Sequence, residues 1–414
     1  MIKKIFYLNL FTMIFIALNL RAPITSIAPI VENVRDFFSL SSAQVGFLTS
    51  LPLIAFGVFS FFVSKLHHIK AMIFGLLCIV LGEILRSFGG FFSRIFIGIF
   101  VDFKGQYAES IPQILSHTAT FFLFFGTLIM GVGIAIANVL LPSFIKAKFP
   151  RQIPKIMSIY SLTLNTSAIL GLLLSLVLMR TFGLLNGMAF WAIFGLLALI
   201  FYLPQAKNAR FKRVKTTTNA PQISLFKSLK AWKIAIFMGL QSYMFYGIIV
   251  WLPKIIESKG YNIDFSTNIT LLSQFIALFS SFLIPTMMAK MRNKYKAFSM
   301  FFACFMYCVG MVLLLLSHTS VWLCVSAAIL GIPMGSVFTI ALLFIAQKSS
   351  NVSVSIKLSA LSQGSGYLIA SISPFVVGRF YDIFGDFRAA ICVFIGISLT
   401  LCLFGFLANK VDRI

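Results

Sequence analysis

Charge is what this sequence has least of. Only 11% of its 414 residues are Asp, Glu, Lys or Arg, against roughly 25% in an ordinary soluble domain. A water-soluble fold of that size could not cover its own surface. Acidic groups are scarcest, 10 against 34 basic ones. The 6 cysteines (Cys78, Cys304, Cys308, Cys324, Cys392, Cys402) all fall in apolar runs, which excludes a disulfide framework or a zinc site and leaves packing as their role. The 4 histidines (His67, His68, His117, His318) offer no metal-ligand spacing beyond one adjacent pair. There is no Walker-type phosphate loop, and Ser and Thr are scattered, so ATP-driven transport by this chain alone has no support. No cofactor is implied.

What fills the space is hydrocarbon: 59% of the residues are hydrophobic. They come in blocks of about 20, and 20 helical residues at 1.5 Å each cross an apolar core of about 30 Å. The pattern predicts an all-α polytopic membrane protein of twelve spans, near 5–28, 42–64, 71–90, 119–141, 156–179, 187–204, 233–252, 268–289, 297–316, 321–346, 358–378 and 389–408. A net charge of +24 would suggest nucleic acid for a soluble protein. Its placement suggests topology instead. With the N-terminus inside, Lys3, Lys4, Lys65, Lys70, Lys146, Lys148, Arg151, Lys155, the run from Lys207 to Lys233, Lys290 to Lys296, Lys348, Lys357, Lys410 and Arg413 all face inward, as the positive-inside rule requires. Both termini are expected in the cytoplasm. Met1–Leu18 has a signal-peptide-like charge and apolar run, but Asn19-Leu20-Arg21-Ala22-Pro23 offers no cleavage site, so it reads as a retained first helix.

A basic, polar linker at 206–232 separates six spans (1–205) from six (233–414). Weak self-similarity supports parallel halves: Pro29 lies on Pro253 at an offset of 224, while Gly133 lies on Gly331, Ser161 on Ser359 and Asn165 on Gln363 at 198. The change in offset places an insertion of about 26 residues in the first half, at the segment 91–120. That segment reads as an amphipathic helix on the outer, periplasmic membrane face, or a lid.

An ionisable group inside a span is a functional hypothesis by default. Arg21 lies about 24 Å along the first helix, too far from its inner end to snorkel inward; it either serves as an anion ligand or is structural, snorkelling outward or pairing with a neighbouring backbone carbonyl. Glu83, the one intramembrane carboxylate, stands i, i+3 from Arg86; the two form either a static pair or a proton-coupling site. Asn19, Gln241, Tyr243, Tyr246, Asn165, Gln363 and Tyr367 are polar groups on helices expected to line a central cavity. Lone amides in spans also serve as interhelical hydrogen bonds. Gly131, Gly133 and Gly331-Ile332-Pro333-Met334-Gly335 allow close helix approach and a bend.

Four ordered stretches carry a family resemblance: 18–58 (LNLRAPITSIAPIVENVRDFFSLSSAQVGFLTSLPLIAFGV), 133–150, 239–260 and 358–382. They resemble the cyanate permease group of the major facilitator superfamily, which includes 2-nitroimidazole transporters. The resemblance implies a twelve-helix alternating-access carrier of the bacterial inner membrane, monomeric, moving a small polar or anionic solute and using protons as a candidate coupling ion. Leu20, Arg21, Pro23, Gln241, Ser242 and Tyr246 are then cavity elements. Two departures stand out: residues 64–71 read SKLHHIKA, without the acidic and Gly-Arg-Arg elements of the superfamily's signature, and 91–120 is longer than the family pattern. An exporter of drugs or metabolites is the alternative, and an enzyme acting on a lipid-linked substrate a remote one, since no polar catalytic cluster is found.

Overall fold

The computed structural model describes residues 2–40, 42–100, 111–209 and 225–414. Among these residues twelve long helices lie on the expected spans, the first ending ten residues short of its expected limit at 28: α1 Ile2–Leu18, α2 Ser42–Val63, α3 His68–Phe100, α4 Ile111–Lys148, α5 Ile153–Phe182, α6 Ala192–Ala209, α7 Leu229–Glu257, α8 Ile263–Lys290, α9 Asn293–Leu316, α10 Ser320–Lys348, α11 Val352–Phe384 and α12 Arg388–Asn409. No strand occurs among the described residues. In hydrocarbon every backbone polar group must find an internal partner, and continuous helices supply one for each residue. Ten of the spans are long and apolar enough to cross a membrane unaided. Of the other two, the apolar stretch of α2, Phe47–Val63, is shorter. α11 has 33 residues and is more polar, carrying Ser355, Ser359, Ser362, Gln363 and Ser365 on buried positions. Its polarity faces protein and not lipid.

The surface is inverted relative to a soluble protein. Phe298, Phe302, Leu316, Val321, Phe375 and Ile383 are exposed, while Ser161, Ser273, Ser336, Thr339 and Ser359 are fully buried. Lipid replaces water as the solvent for the outer faces.

The described part of the segment 91–120 forms no separate surface helix. Its described residues prolong α3 to Phe100 and begin α4 at Ile111, giving helices of 33 and 38 residues. At 1.5 Å per residue these run to about 50 Å and about 57 Å, well beyond the hydrocarbon core. The apolar run Phe91–Phe100 simply continues the helical register that precedes it, and no Pro or capping residue stops it. Residues 101–110, where a lid would have its tip, lie outside the described residues.

Contacts divide the chain into two compact units. One comprises Met1–Phe59, Leu66–Asn138 and Thr166–Thr216; the other Ser60–Lys65, Val139–Asn165 and Thr217–Ile414. The division differs from the chain-order boundary at 206–232 because short stretches of α2, α4 and α5 pack with the later helices.

Inside the first unit, α3 and α4 meet along a glycine seam. A Cβ on Gly82 would lie 2.6 Å from the Gly126 carbonyl oxygen, one on Gly126 2.7 Å from the Gly82 oxygen, and one on Gly133 2.4 Å from the Gly75 oxygen. Gly75 and Gly82, and Gly126 and Gly133, are seven residues apart, two helical turns, so both pairs fall on one face. Gly131 points elsewhere, against Pro52 and Ala55 of α2. In the second unit α7 packs on α11 and α12, and α10 packs on α8 and α9. There Gly335 is tightest, with no room for a Cβ beside the Ala277 oxygen. The starts of α8 and α11 are capped by Asn262 and Asn351, whose Oδ1 atoms accept from Phe265 N and Val354 N, each at 2.9 Å. Outside the spans, Lys259 Nζ donates to the Ser317 oxygen at 2.8 Å, and burial, with Arg388 nearby, lowers its pKa from the usual lysine value.

Candidate functional site

The first helix breaks where Arg21 stands. α1 ends at Leu18, and a four-residue helix, Ala22–Thr25, follows with Arg21 as its N-cap at φ −129°. Pro23 is the local cause: it has no N–H, and its ring crowds the carbonyl four residues earlier, so it fits the first turn of a new helix and not the interior of an old one. The interrupted ladder is re-satisfied from α5. Ser167 Oγ accepts from Ala22 N at 2.8 Å and donates to the Leu18 oxygen at 2.5 Å, occupying the place of the direct Ala22-to-Leu18 bond. Thr25 Oγ1 donates to the Ala168 oxygen at 3.0 Å. Gly171 makes the approach possible, since a Cβ there would lie 2.2 Å from Thr25 Oγ1 and 2.8 Å from the Ala22 oxygen. Irregular backbone at membrane depth is tolerated only where protein or a cavity surrounds it. Here Ser167, Thr25 and Gly171 supply the protein side. Arg21 is partly exposed.

A fourth group reaches the break from α3. Arg86 Nη1 donates to the Pro23 oxygen at 3.0 Å, and its Nη2 pairs with Glu83 Oε2 at 2.7 Å. Both side chains are fully buried. Glu83 Oε1 has no hydrogen-bond partner among the described residues. The glycine seam brings α4 against this turn, with Gly126 under the Arg86 backbone. One guanidinium therefore links the Glu83 carboxylate to the carbonyl of the helix break.

The remaining sequence candidates fall into groups. Asn19 is fully buried, its Nδ2 donates to the Phe15 oxygen at 2.7 Å, and its Oδ1 faces Gly195 of α6, so it is directed into helix packing and away from the break. Gln241 is fully buried, and neither its Oε1 nor its Nε2 has a hydrogen-bond partner among the described residues. Tyr243 is buried, its ring edge-on to Phe394 at 6.0 Å. Tyr246 and Tyr367 are brought together, ring centroids 6.1 Å apart at 61°, with Tyr246 partly exposed. Gln363 Nε2 donates to Ser359 Oγ at 2.8 Å. Asn165 is buried, and its Nδ2 has no partner among the described residues. Ser167 and Thr25 were missed in sequence. The small-residue spacing Ser167-x-x-x-Gly171 is the signal that could have marked them. Among the described residues no group of three or more His, Cys, Asp or Glu is placed to hold a metal ion.

The family model of the Major Facilitator Superfamily matches residues 10–371. The uncharacterized transporter YycB of Bacillus subtilis is 33% identical over 89% of this chain and 85% of its own length. The 2-nitroimidazole transporter of Escherichia coli is 29% identical, covering 96% and 94%, and the cyanate transport protein CynX of the same organism 25% identical, covering 91% of each. Among solved structures, the proton:xylose symporter XylE superposes with a TM-score of 0.73 at 12% identity over 97% of this chain and 95% of its own. The fucose:proton symporter FucP does so with 0.69 at 12% identity over 97% of each.

Proposed function

This chain belongs to the major facilitator superfamily, and on that premise we propose that it is an alternating-access carrier of a small anionic or electron-rich organic solute, with Arg21 as its principal ligand. It is a multi-pass membrane transporter and not an enzyme. The observation that carries the substrate reading is the helix break. An arginine held at an interrupted transmembrane helix, partly exposed, beside backbone that Ser167, Thr25 and Arg86 already satisfy, presents a fixed positive charge at a depth where charge is expensive and therefore used. Residues 1–205 and 233–414 are the two bodies that move, in the inner membrane with both termini cytoplasmic.

Tyr246 and Tyr367, with Asn165 and Gln363, supply the second set of contacts. Aromatic edges and amides suit a planar, polar solute such as a nitroheterocycle or a pseudohalide anion. The relatives named for 2-nitroimidazole and cyanate support that class. Proton coupling runs through Glu83: a carboxylate with one oxygen on Arg86 and the other without a partner among the described residues can take a proton at Oε1, which weakens the pair and loosens Arg86 from the Pro23 carbonyl. An unchanged pH dependence of transport in Glu83→Gln would remove this part of the proposal.

A thermal-shift screen of the purified protein against cyanate, 2-nitroimidazole, small carboxylates and aromatic amines, run in parallel on Arg21→Ala, tests the substrate class. Ligands that bind only the folded state raise the melting temperature with concentration. Stabilisation by an anionic or nitroaromatic class that disappears in the variant is expected. Equal stabilisation of both proteins by neutral amines would favour a drug exporter in which Arg21 is structural.

A further inference from the structure

α4 and α5 precede the linker, yet residues 139–165 pack in the same compact unit as α7–α12, and what joins them there is a set of side-chain hydrogen bonds. Lys146, in the last turn of α4, is half-buried with its ammonium on the C-terminal end of α10: Nζ donates to the Ala346 oxygen at 2.9 Å, to Ser349 Oγ at 2.8 Å and to the Ser349 oxygen. The last carbonyls of a helix have no partner within it and carry the negative end of its dipole. A lysine seated on them makes charge-assisted bonds, roughly twice as strong as neutral ones.

Two neutral contacts lie deeper on the same face. Thr339 of α10 donates to Ser161 Oγ of α5 at 2.6 Å, and Thr286 of α8 donates to Ser158 Oγ of α5 at 3.2 Å; Ser158, Ser161 and Thr339 are fully buried. The receiving end of α10 is itself braced. Lys348 Nζ donates to the Asn409 and Val411 oxygens at 2.5 and 2.7 Å, while Ile414 N donates to the Lys348 oxygen and Ser350 N to the Ile414 oxygen, each at 2.7 Å. The segment on which Lys146 sits is thus clipped by residues 409–414.

We propose that Lys146 is a positioning residue, a latch that holds the basic end of the transporter closed by binding the C-terminus of α10, with Ser158–Thr286 and Ser161–Thr339 as the contacts it protects and residues 409–414 as its brace. The proposal rests on the alternating-access reading but not on any substrate.

The test places one reporter, Ser161→Cys, in a chain whose native cysteines are replaced by alanine or serine. Its reaction with a water-soluble maleimide is followed in inside-out vesicles, in parent, Lys146→Ala and Lys146→Arg backgrounds. Size-exclusion profiles confirm folding. Lys146→Ala is expected to raise the labelling rate about tenfold, the equivalent of about one charge-assisted hydrogen bond. Lys146→Arg, which can still donate to the same carbonyls, should return most of the protection. Equal labelling in parent and Lys146→Ala would overturn the latch, as would full reactivity of the parent reporter. Because no ligand is added, a wrong substrate assignment leaves these rates untouched.

Discussion

Replacing Ser167 with Ala removes one hydroxyl and orphans two backbone groups, the buried Ala22 N and the part-buried Leu18 oxygen. Each unsatisfied buried group costs about 1–3 kcal/mol, so Ser167→Ala should lower the melting temperature measurably and weaken ligand stabilisation more than Thr163→Ala, whose hydroxyl serves only its own helix at Ile159. Thermal unfolding in detergent, with and without ligand, checks both. Glu83 and Arg86 make a sharper case. Removing one member of a buried ion pair strands the other and typically costs about 3–5 kcal/mol, whereas replacing both is far milder. Arg86→Met alone should therefore be more destabilised than Glu83→Gln/Arg86→Met, read from the melting temperatures of the full double-mutant cycle. At this scale the sequence was legible for charge and illegible for partners. Arg21, Glu83 and Arg86 stood out because ionisable groups are rare in spans, and the i, i+3 spacing of the last two led to the observed pair. Nothing in spacing alone could show that Arg86 also reaches Pro23, 63 positions away, or that Asn19 turns toward Gly195.

Helix pairs add a different kind of constraint. The α3–α4 seam and the α8–α10 contact have no space for a methyl group: a Cβ on Gly126 would lie 2.4 Å from Arg86 N, and Gly335 is tighter still against Ala277. Interiors repack poorly around backbone obstacles, and overpacking costs about 1–3 kcal/mol or more. Gly126→Ala and Gly335→Ala are expected to lose folded yield and several degrees of melting temperature. Gly396→Ala in α12, where nothing lies within 4 Å, should be neutral or gain up to about 1 kcal/mol from helix propensity. Fluorescence-detected size exclusion across a temperature series separates the three. Spans and their order were readable because 20-residue apolar runs carry a strong signal. The seven-residue glycine seam was readable in principle, while the prolonged α3 and α4 were not: an apolar run too short to span continues a helix as readily as it starts a surface one, and only the absence of a stop residue favours continuation.

For the whole molecule, the governing fact is a net charge of +24, which the expected alternation of spans and loops would collect at one set of helix ends. Lys146, Lys348 and Lys410 all sit near the same end, held on backbone carbonyls or over aromatic rings. The positive-inside rule turns that asymmetry into a topology: reporter domains fused at either terminus should be active only in their cytoplasmic form, and a periplasm-active fusion at the C-terminus would reverse the orientation. The fold class at this scale was accessible from the sequence through hydropathy. The two compact units were not, because residues 139–165 join later helices through single side-chain bonds that leave no periodic trace.

The measurement that bears most directly on the central claim is uptake by proteoliposomes containing the purified chain, using labelled cyanate and labelled 2-nitroimidazole, for the parent and Arg21→Ala. Saturable, concentration-dependent uptake of at least one of them, reduced by at least about tenfold in the variant while its melting temperature stays near that of the parent, is the predicted result. Uptake by Arg21→Ala at the parental rate would contradict the assignment of the helix-break arginine as the substrate ligand.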